Sequence, residues 1–358
     1  MDFDLSDDQL ALRDAAIELL AARSSPARVR AVVDAGGGWD RDLWADLVEQ
    51  GWPALLAPED RGGVGLGWVE AAVLLEAVGA HVAPVPVLGQ LVAVDTLVVT
   101  GHDAWLGKLV GGDAVAAVAH RPVRAERSGG GWRLSGDTGP VAFAPSADVV
   151  VVPATADDEA TRLFLVEVGE QRPSAEPAMD LTRELGRYSF DGSAAVELGG
   201  AAAVDDFADR GAVAYAAELL GCAATALDMA VAYAGEREQF GRPIGSFQAI
   251  KHRCADMLVD VEGMRSATWW AAWCLATGDP QQSVAASTAK AWCSDAADRV
   301  LTSALQVHGG IGFTWECDLH LYLKRVQYDR LAFGNAAAHR DRLATMLRER
   351  VRAGEPVI

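Results

Sequence analysis

The sequence predicts an α+β chain that is mainly α: an N-terminal helical domain (residues 1–112), a small middle β domain (113–200) and a C-terminal four-helix bundle (201–358). Two observations lead there. The hydrophobic period switches from helical to β-type near Asp113 and back after Gly200. The last region also carries apolar residues at alternating four- and three-residue steps, which places them on one helix face. At 358 residues the chain is long enough for two or three packed units, and 51% hydrophobic with 23% charged residues puts it in the globular class rather than the disordered one.

In the first region Ser6 and Gln9 form a capping box ahead of Leu10, Leu12, Ala15, Ala16, Leu19 and Leu20. A second helix fits Leu43, Trp44, Leu47 and Val48, ending near Gly51, and a third fits Trp68 to Val78. Between them Pro58-Glu59-Asp60-Arg61-Gly62-Gly63-Val64-Gly65 reads as a loop. The β segments expected are Trp132–Ser135, Asp148–Val152 and Leu163–Val168, punctuated by Gly129-Gly130-Gly131 and Asp157-Asp158-Glu159. In the bundle, one stripe runs Val213, Ala217, Leu220, Ala224, Leu227, Val231, Ala234. A second runs Phe247, Ile250, Cys254, Met257, Val261, Met264, Thr268, and further helices fit Val284–Leu305 and Ala336–Val351.

A formal net charge of −19 argues against polyanionic partners, because nucleic acid and anionic membranes are gripped by clustered Lys and Arg. No basic, apolar leader opens the sequence, and the apolar stretch Val82 to Val99 is broken by Pro84, Pro86, Gln90 and Asp95, short of a membrane span. Cys222, Cys254, Cys274, Cys293 and Cys317 form no C-x-x-C pair and no metal-ligand spacing, so they read as reduced core thiols of a soluble, cytoplasmic protein.

Two motifs sit at predicted helix ends: Arg237-Glu238-Gln239-Phe240-Gly241, with Phe247-Gln248, and Gln306-Val307-His308-Gly309-Gly310-Ile311-Gly312-Phe313. A guanidinium suits a pyrophosphate, and glycines let backbone amides approach an anion. The plainer readings are a surface ion pair of Arg237 with Glu236 or Glu238 and a helix C-terminus at Gly309 and Gly310; both readings can hold together. With the opening Met1-Asp2-Phe3-Asp4-Leu5-Ser6 and the Gly51-Trp52, Pro58-Glu59, Gly62–Gly65 loop, these motifs make the chain resemble the acyl-CoA dehydrogenase family over essentially its whole length.

The resemblance implies FAD, an acyl-CoA thioester as substrate, α,β-dehydrogenation and an electron-transfer flavoprotein as acceptor. It also implies that Arg237, Gln239, Phe240, Gln306, Gly309, Gly310 and Gly312 bind the adenine and pyrophosphate half of an FAD held mainly by a neighbouring subunit. The family's usual base is a Glu directly before a Gly near the last helix; here Tyr328-Asp329-Arg330-Leu331-Ala332-Phe333-Gly334-Asn335 puts Phe333 in that place. A phenyl ring cannot accept a proton. The alternative base position, before an Arg early in the first bundle helix, is matched only out of register by Asp209-Arg210, with Gly211 at the aligned place. Glu218, Asp256, Glu262 and Glu316 read as salt-bridge partners or exposed charges.

In the β domain the family's Thr-Glu-Pro and Gly-Ser-Asp, which hold the flavin ring, are replaced by Val118-Ala119-His120-Arg121-Pro122-Val123-Arg124-Ala125, where His120 reads as a surface residue. The combination resembles the degenerate subunit of actinobacterial α2β2 acyl-CoA dehydrogenases of steroid side-chain degradation, as do Asp180–Arg183 and Trp315–Tyr322. Two other readings remain open at this point: a homo-oligomeric dehydrogenase with an atypical base such as Asp209, and a non-catalytic acyl-CoA or flavin binding protein on the same scaffold.

Overall fold

Ser6 accepts a hydrogen bond from Gln9 N while the Gln9 side chain accepts from Ser6 N, so the capping box opens helix α1 (Asp7–Arg23) as the sequence requires. The computed structural model describes residues 5–354, and the Met1–Asp4 part of the opening motif lies outside them. Among the described residues ten further α-helices follow: α2 (Pro26–Asp34), α3 (Arg41–Glu49), α4 (Trp68–Ala80), α5 (Val87–Thr100), α6 (Leu106–Val110), α7 (Ala201–Glu236), α8 (Gln248–Thr277), α9 (Gln282–His308), α10 (Leu319–Asp329) and α11 (Ala336–Ala353). By packing, the chain forms two units. One comprises Ala27–Ala71 and Pro84–Gly211; the other comprises the chain up to Pro26, Ala72–Ala83 and the chain from Ala212 onward.

In the first unit β1 (Ala116–Val118), β2 (Val123–Ser128), β3 (Gly131–Asp137), β5 (Val149–Ala156), β6 (Thr161–Glu167) and β8 (Ser189–Gly199) form one sheet in the order β1-β5-β2-β3-β8-β6. The short β4 (Val141–Ala142) and β7 (Leu185–Gly186) pair separately. Because β6 also pairs with β5, the ladder closes on itself around Val123, Ala125, Leu134, Val150, Val152, Phe164, Val166, Tyr188 and Phe190. The three expected strands are present as β3, β5 and β6. Strand β8 lies outside the expected segments, its start at Ser189-Phe190-Asp191-Gly192 having the Asp-Gly signature of a turn. Gly192, at φ +70°, is an extra residue between Ser193, opposite Leu134, and Asp191, opposite Ser135: a bulge inside the strand.

The second unit is helical. The stripe expected on α7 is not one-sided: from Ala212 to Ala223 every residue is buried, whereas Ala224 is only partly buried and Val231 is exposed. A helix surrounded by others buries its whole circumference, so a stripe understates it. The same helix is long and apolar enough to cross a membrane by composition, with 78% of the relevant window buried inside the protein. Where α4 crosses α7, a Cβ on Gly79 would stand 2.1 Å from Glu218 O and one on Gly221 would stand 1.9 Å from Glu76 O, so only glycine lets these backbones touch.

The last carbonyls of α4, and those of the chain just beyond it, are then taken by side chains. Cys222 Sγ donates to Gly79 O, Thr225 Oγ1 and Tyr322 OH donate to Ala80 O, and Arg325 donates to Val82 O and Ala83 O. Arg325 is itself buried and paired with buried Glu218 at 2.5 Å. Helix α10, which carries Tyr322 and Arg325, adds a fifth helix to the expected four. Of the thiols, Cys222, Cys274 and Cys293 are buried, while Cys254 and Cys317 are partly exposed rather than core.

Candidate functional site

Helix α7 ends where Arg237 N bonds Tyr233 O, and the chain turns at once into a hairpin of β9 (Glu238–Gln239) and β10 (Arg242–Pro243). Gln239 pairs with Arg242, leaving Phe240 and Gly241 as a two-residue loop with φ of +56° and +75°. Two positive φ values mark a type I′ turn, whose first position suits Asn or Gly. An aromatic residue there costs about 1–3 kcal/mol, and strain of this kind clusters at functional positions. Phe240 is nevertheless 91% exposed. Behind it Arg242 lies 4.2 Å over the Phe247 ring, and Phe247 meets Phe240 edge-on at 6.0 Å.

The second motif begins at the last turn of α9. His308 Nδ1 lies 2.8 Å from Ala304 O, and its ring stacks on Tyr233 of α7 at 4.6 Å. That stack brings the two motifs to one end of the helical unit. Gly309 has φ +62° and ψ −140°, a conformation essentially reserved for glycine, and no heavy atom lies within 4 Å of a Cβ built on Gly309 or Gly310. Gly312 differs from them: it is buried, with His308 Cβ at 3.0 Å and Leu305 O at 3.2 Å from its built Cβ, so it is a packing glycine. Phe313 beyond it is 78% exposed.

Arg237, Gln239 and Gln306 are exposed. Arg237 makes no ion pair with Glu236 or Glu238 among the described residues, which leaves its guanidinium available to an anion. Gln239 Nε2 donates to Glu238 O. The donor set at this end is one guanidinium, two carboxamides and the amides beside two open glycines, a combination that fits a diphosphate and leaves Phe240 and Phe313 to meet an apolar or aromatic group.

The proposed base positions are both buried. Phe333 is 7% exposed, has φ +55°, and packs its ring 5.8 Å from Tyr215. Asp209, in the other packing unit, has no exposed surface. Its neighbour Arg210 is committed to Asp95 at 2.6 Å, and Trp68 Nε1 donates to the same carboxylate oxygen at 2.8 Å. Glu218, undistinguished in the sequence, is the buried partner of Arg325.

In the β domain His120 is half-buried and Arg121 packs against Gly139, where a Cβ would come within 3.1 Å of the guanidinium. Two stretches without a mechanism in the sequence acquire one. Asp180 accepts from Thr182 N at 2.9 Å and Thr182 Oγ1 at 2.5 Å and pairs with Arg183 at 3.2 Å, all buried, which makes Asp180–Arg183 a locked turn. Trp315 stacks on His320 at 4.5 Å beneath the Lys324 ammonium, while Tyr322 caps α4.

Comparison with known proteins identifies relatives over nearly the whole chain. Residues 6–112 match the family profile described as acyl-CoA dehydrogenase, N-terminal domain, and residues 199–347 match the corresponding C-terminal domain. The acyl-CoA dehydrogenase IpdE2 of Mycolicibacterium smegmatis is 36% identical over 90% of this chain and 93% of its own. The crystal structure of the ChsE4-ChsE5 complex from Mycobacterium tuberculosis contains a chain that superposes with a TM-score of 0.91 at 30% identity, covering 98% of this chain and 99% of that one. A Tcur3481-Tcur3483 steroid ACAD variant superposes with a TM-score of 0.90 at 31% identity over 97% and 99%. The two profile matches and the identity and coverage of these relatives lead to one conclusion: the chain belongs to the acyl-CoA dehydrogenase family of oxidoreductases.

Proposed function

We propose that this chain is the FAD-sharing, base-lacking subunit of a hetero-oligomeric acyl-CoA dehydrogenase acting on a steroid-derived or other bulky CoA thioester. Arg237 would bind the diphosphate of a neighbour's FAD, Gln239, Gln306 and the amides at Gly309 and Gly310 would complete the cradle, and Phe240 and Phe313 would cover the adenine side. The observation that carries the reading is Phe240: a strained, 91% exposed phenyl at the tip of a tight hairpin is accounted for when a cofactor or partner covers it.

Bound FAD would supply the acceptor for the substrate's β-hydride. What this chain contributes is binding, orientation and exclusion of water. Phe333 offers no lone pair for the α-proton, so the carboxylate that removes it is assigned to the partner. The similar ChsE4-ChsE5 structure is a complex of two differently named proteins, which supports a hetero-oligomer over a homo-oligomer. The electron acceptor expected for such a complex is an electron-transfer flavoprotein.

The visible spectrum and activity of the purified chain, alone and co-expressed with a second dehydrogenase-like chain, test the proposal. FAD at half the number of chains, appearing only in the co-expressed complex together with acyl-CoA dehydrogenation, is the expected result. Stoichiometric FAD and activity in the isolated chain would establish instead the homo-oligomeric enzyme with an atypical base. Failure to bind flavin in any pairing would leave an acyl-CoA binding protein.

A further inference from the structure

The register of the β9–β10 hairpin sorts its side chains. Gln239 lies opposite Arg242 and Glu238 opposite Pro243, and Ile244 N donates to Arg237 O at 2.7 Å, which carries the pairing one residue further back. Residues two apart along a strand, and residues directly opposite across an antiparallel pair, share a face. Arg237, Gln239 and Arg242 therefore stand on one face, while Glu238, the only carboxylate of the hairpin, stands on the other. Arg242 is exposed and, like Arg237, makes no ion pair among the described residues.

What holds Arg242 is an aromatic ring. Its guanidinium carbon lies 4.2 Å from the centroid of Phe247, the half-buried N-cap residue of α8, and Phe240 meets that ring edge-on from the loop. Stacking occupies the flat face of a guanidinium and leaves the N–H donors around its edge free to meet an anion. Between residues 237 and 253 the sequence places Arg237, Arg242, Lys251 and Arg253 against Glu238 alone, in a chain of net charge −19. The local field at this end therefore draws in an anion that the molecule as a whole repels.

A diphosphate diester carries one negative charge on each phosphate, so a lone guanidinium leaves one of them uncompensated. We infer that Arg242 is the second guanidinium of the cradle: a cofactor-binding residue whose edge takes the phosphate next to the one bound by Arg237, with Phe247 as the residue that positions it. The inference rests on the shared-FAD reading given above. It adds to that cradle the residue that matches the charge of the ligand, on the face where Arg237 and Gln239 already stand.

Titration of FAD into the cofactor-depleted, co-expressed complex, at low and at high ionic strength, tests this. Arg242→Gln should weaken FAD binding about tenfold or more. It should also shrink the loss of affinity that added salt causes in wild type, because one of the charge contacts that salt screens is gone. Phe247→Leu should weaken binding too, but add nothing once Arg242→Gln is present, since the ring acts through the guanidinium. A purely structural Arg242 would instead lower the thermal midpoint and leave the salt response as in wild type. If Arg242→Gln does not assemble, Arg242→Lys and Phe247→Leu carry the test, and wild-type affinity in both overturns the inference. Unchanged affinity or unchanged salt response in Arg242→Gln, beside a weakened Arg237→Gln, overturns this inference alone. Absence of FAD binding by the wild-type complex, or full affinity in Arg237→Gln, overturns the shared-cofactor reading on which it rests.

Discussion

Tyr233, in the last turn of α7, stacks on His308, the last residue of α9, with ring centroids 4.6 Å apart and planes inclined by 17°. One residue belongs to the helix that launches the Arg237–Gly241 hairpin and the other to the helix that ends at Gly309. The contact couples the two motifs, and neither ring was a candidate in the sequence. Replacing Tyr233 by Leu should leave the helices folded yet let the motifs move independently. Loss of an aromatic pair costs about 0.5–1.5 kcal/mol beyond area, so FAD retention by the co-expressed complex should fall several-fold, as measured by cofactor release.

Arg237→Lys should behave almost as badly as Arg237→Gln. A planar guanidinium meets two phosphate oxygens at once, whereas an ammonium is a point charge. Titration of FAD into the apo complex should show about a tenfold or greater loss for both variants, in line with the 1.5–3 kcal/mol of a charged hydrogen bond. Equal affinity of Arg237→Lys and wild type would argue against a bidentate contact.

Phe240→Asn should stabilise the chain while weakening assembly. Asn tolerates the left-handed conformation, so about 1 kcal/mol of strain is relieved and the thermal midpoint of the isolated chain rises. The same change removes the exposed ring, so association with the partner, followed by ultracentrifugation, should weaken.

Acid should destabilise the helical unit through His339. Its imidazole falls from an ordinary value of 6.5 when unfolded to about 4 when folded, so between these values the unfolded chain holds a proton that the folded chain lacks. Stability is therefore complete above 6.5 and lost as pH falls toward 4. Lys290 follows the same sign at higher pH: its ordinary 10.5 drops to about 7 on folding, so its contribution rises across that window as pH rises. Denaturant midpoints measured across pH should show the acid slope in wild type and a flatter one in His339→Gln.

Gly221→Ala should be among the most damaging single changes in the helical unit. Its Cβ would stand 1.9 Å from Glu76 O, a backbone atom that cannot swing aside, so α4 and α7 must separate at a cost of about 3 kcal/mol or more. Circular dichroism on heating would register this as a midpoint drop well beyond that of Gly235→Ala, where nothing lies within 4 Å.

Local and periodic information was legible in the sequence. The Ser6–Gln9 capping box, the strands around Leu134, Val150 and Leu165, the long helices and the two motifs at helix ends depend on neighbours a few residues apart, which composition and spacing encode. Gly192 hid strand β8 because a bulge and a turn use the same residue, and only the pairing partner tells them apart.

What the tertiary structure alone decided rests on contacts between distant segments. Gly309 and Gly310 are open while Gly312 is filled by Leu305 and His308, although all three read alike as letters. Arg325 and Glu218, 107 positions apart, become one buried pair, and Lys290 reaches a turn 40 residues onward. Burial, charge pairing and backbone strain arise from which side chains share a volume, and sequence spacing carries no distance across it.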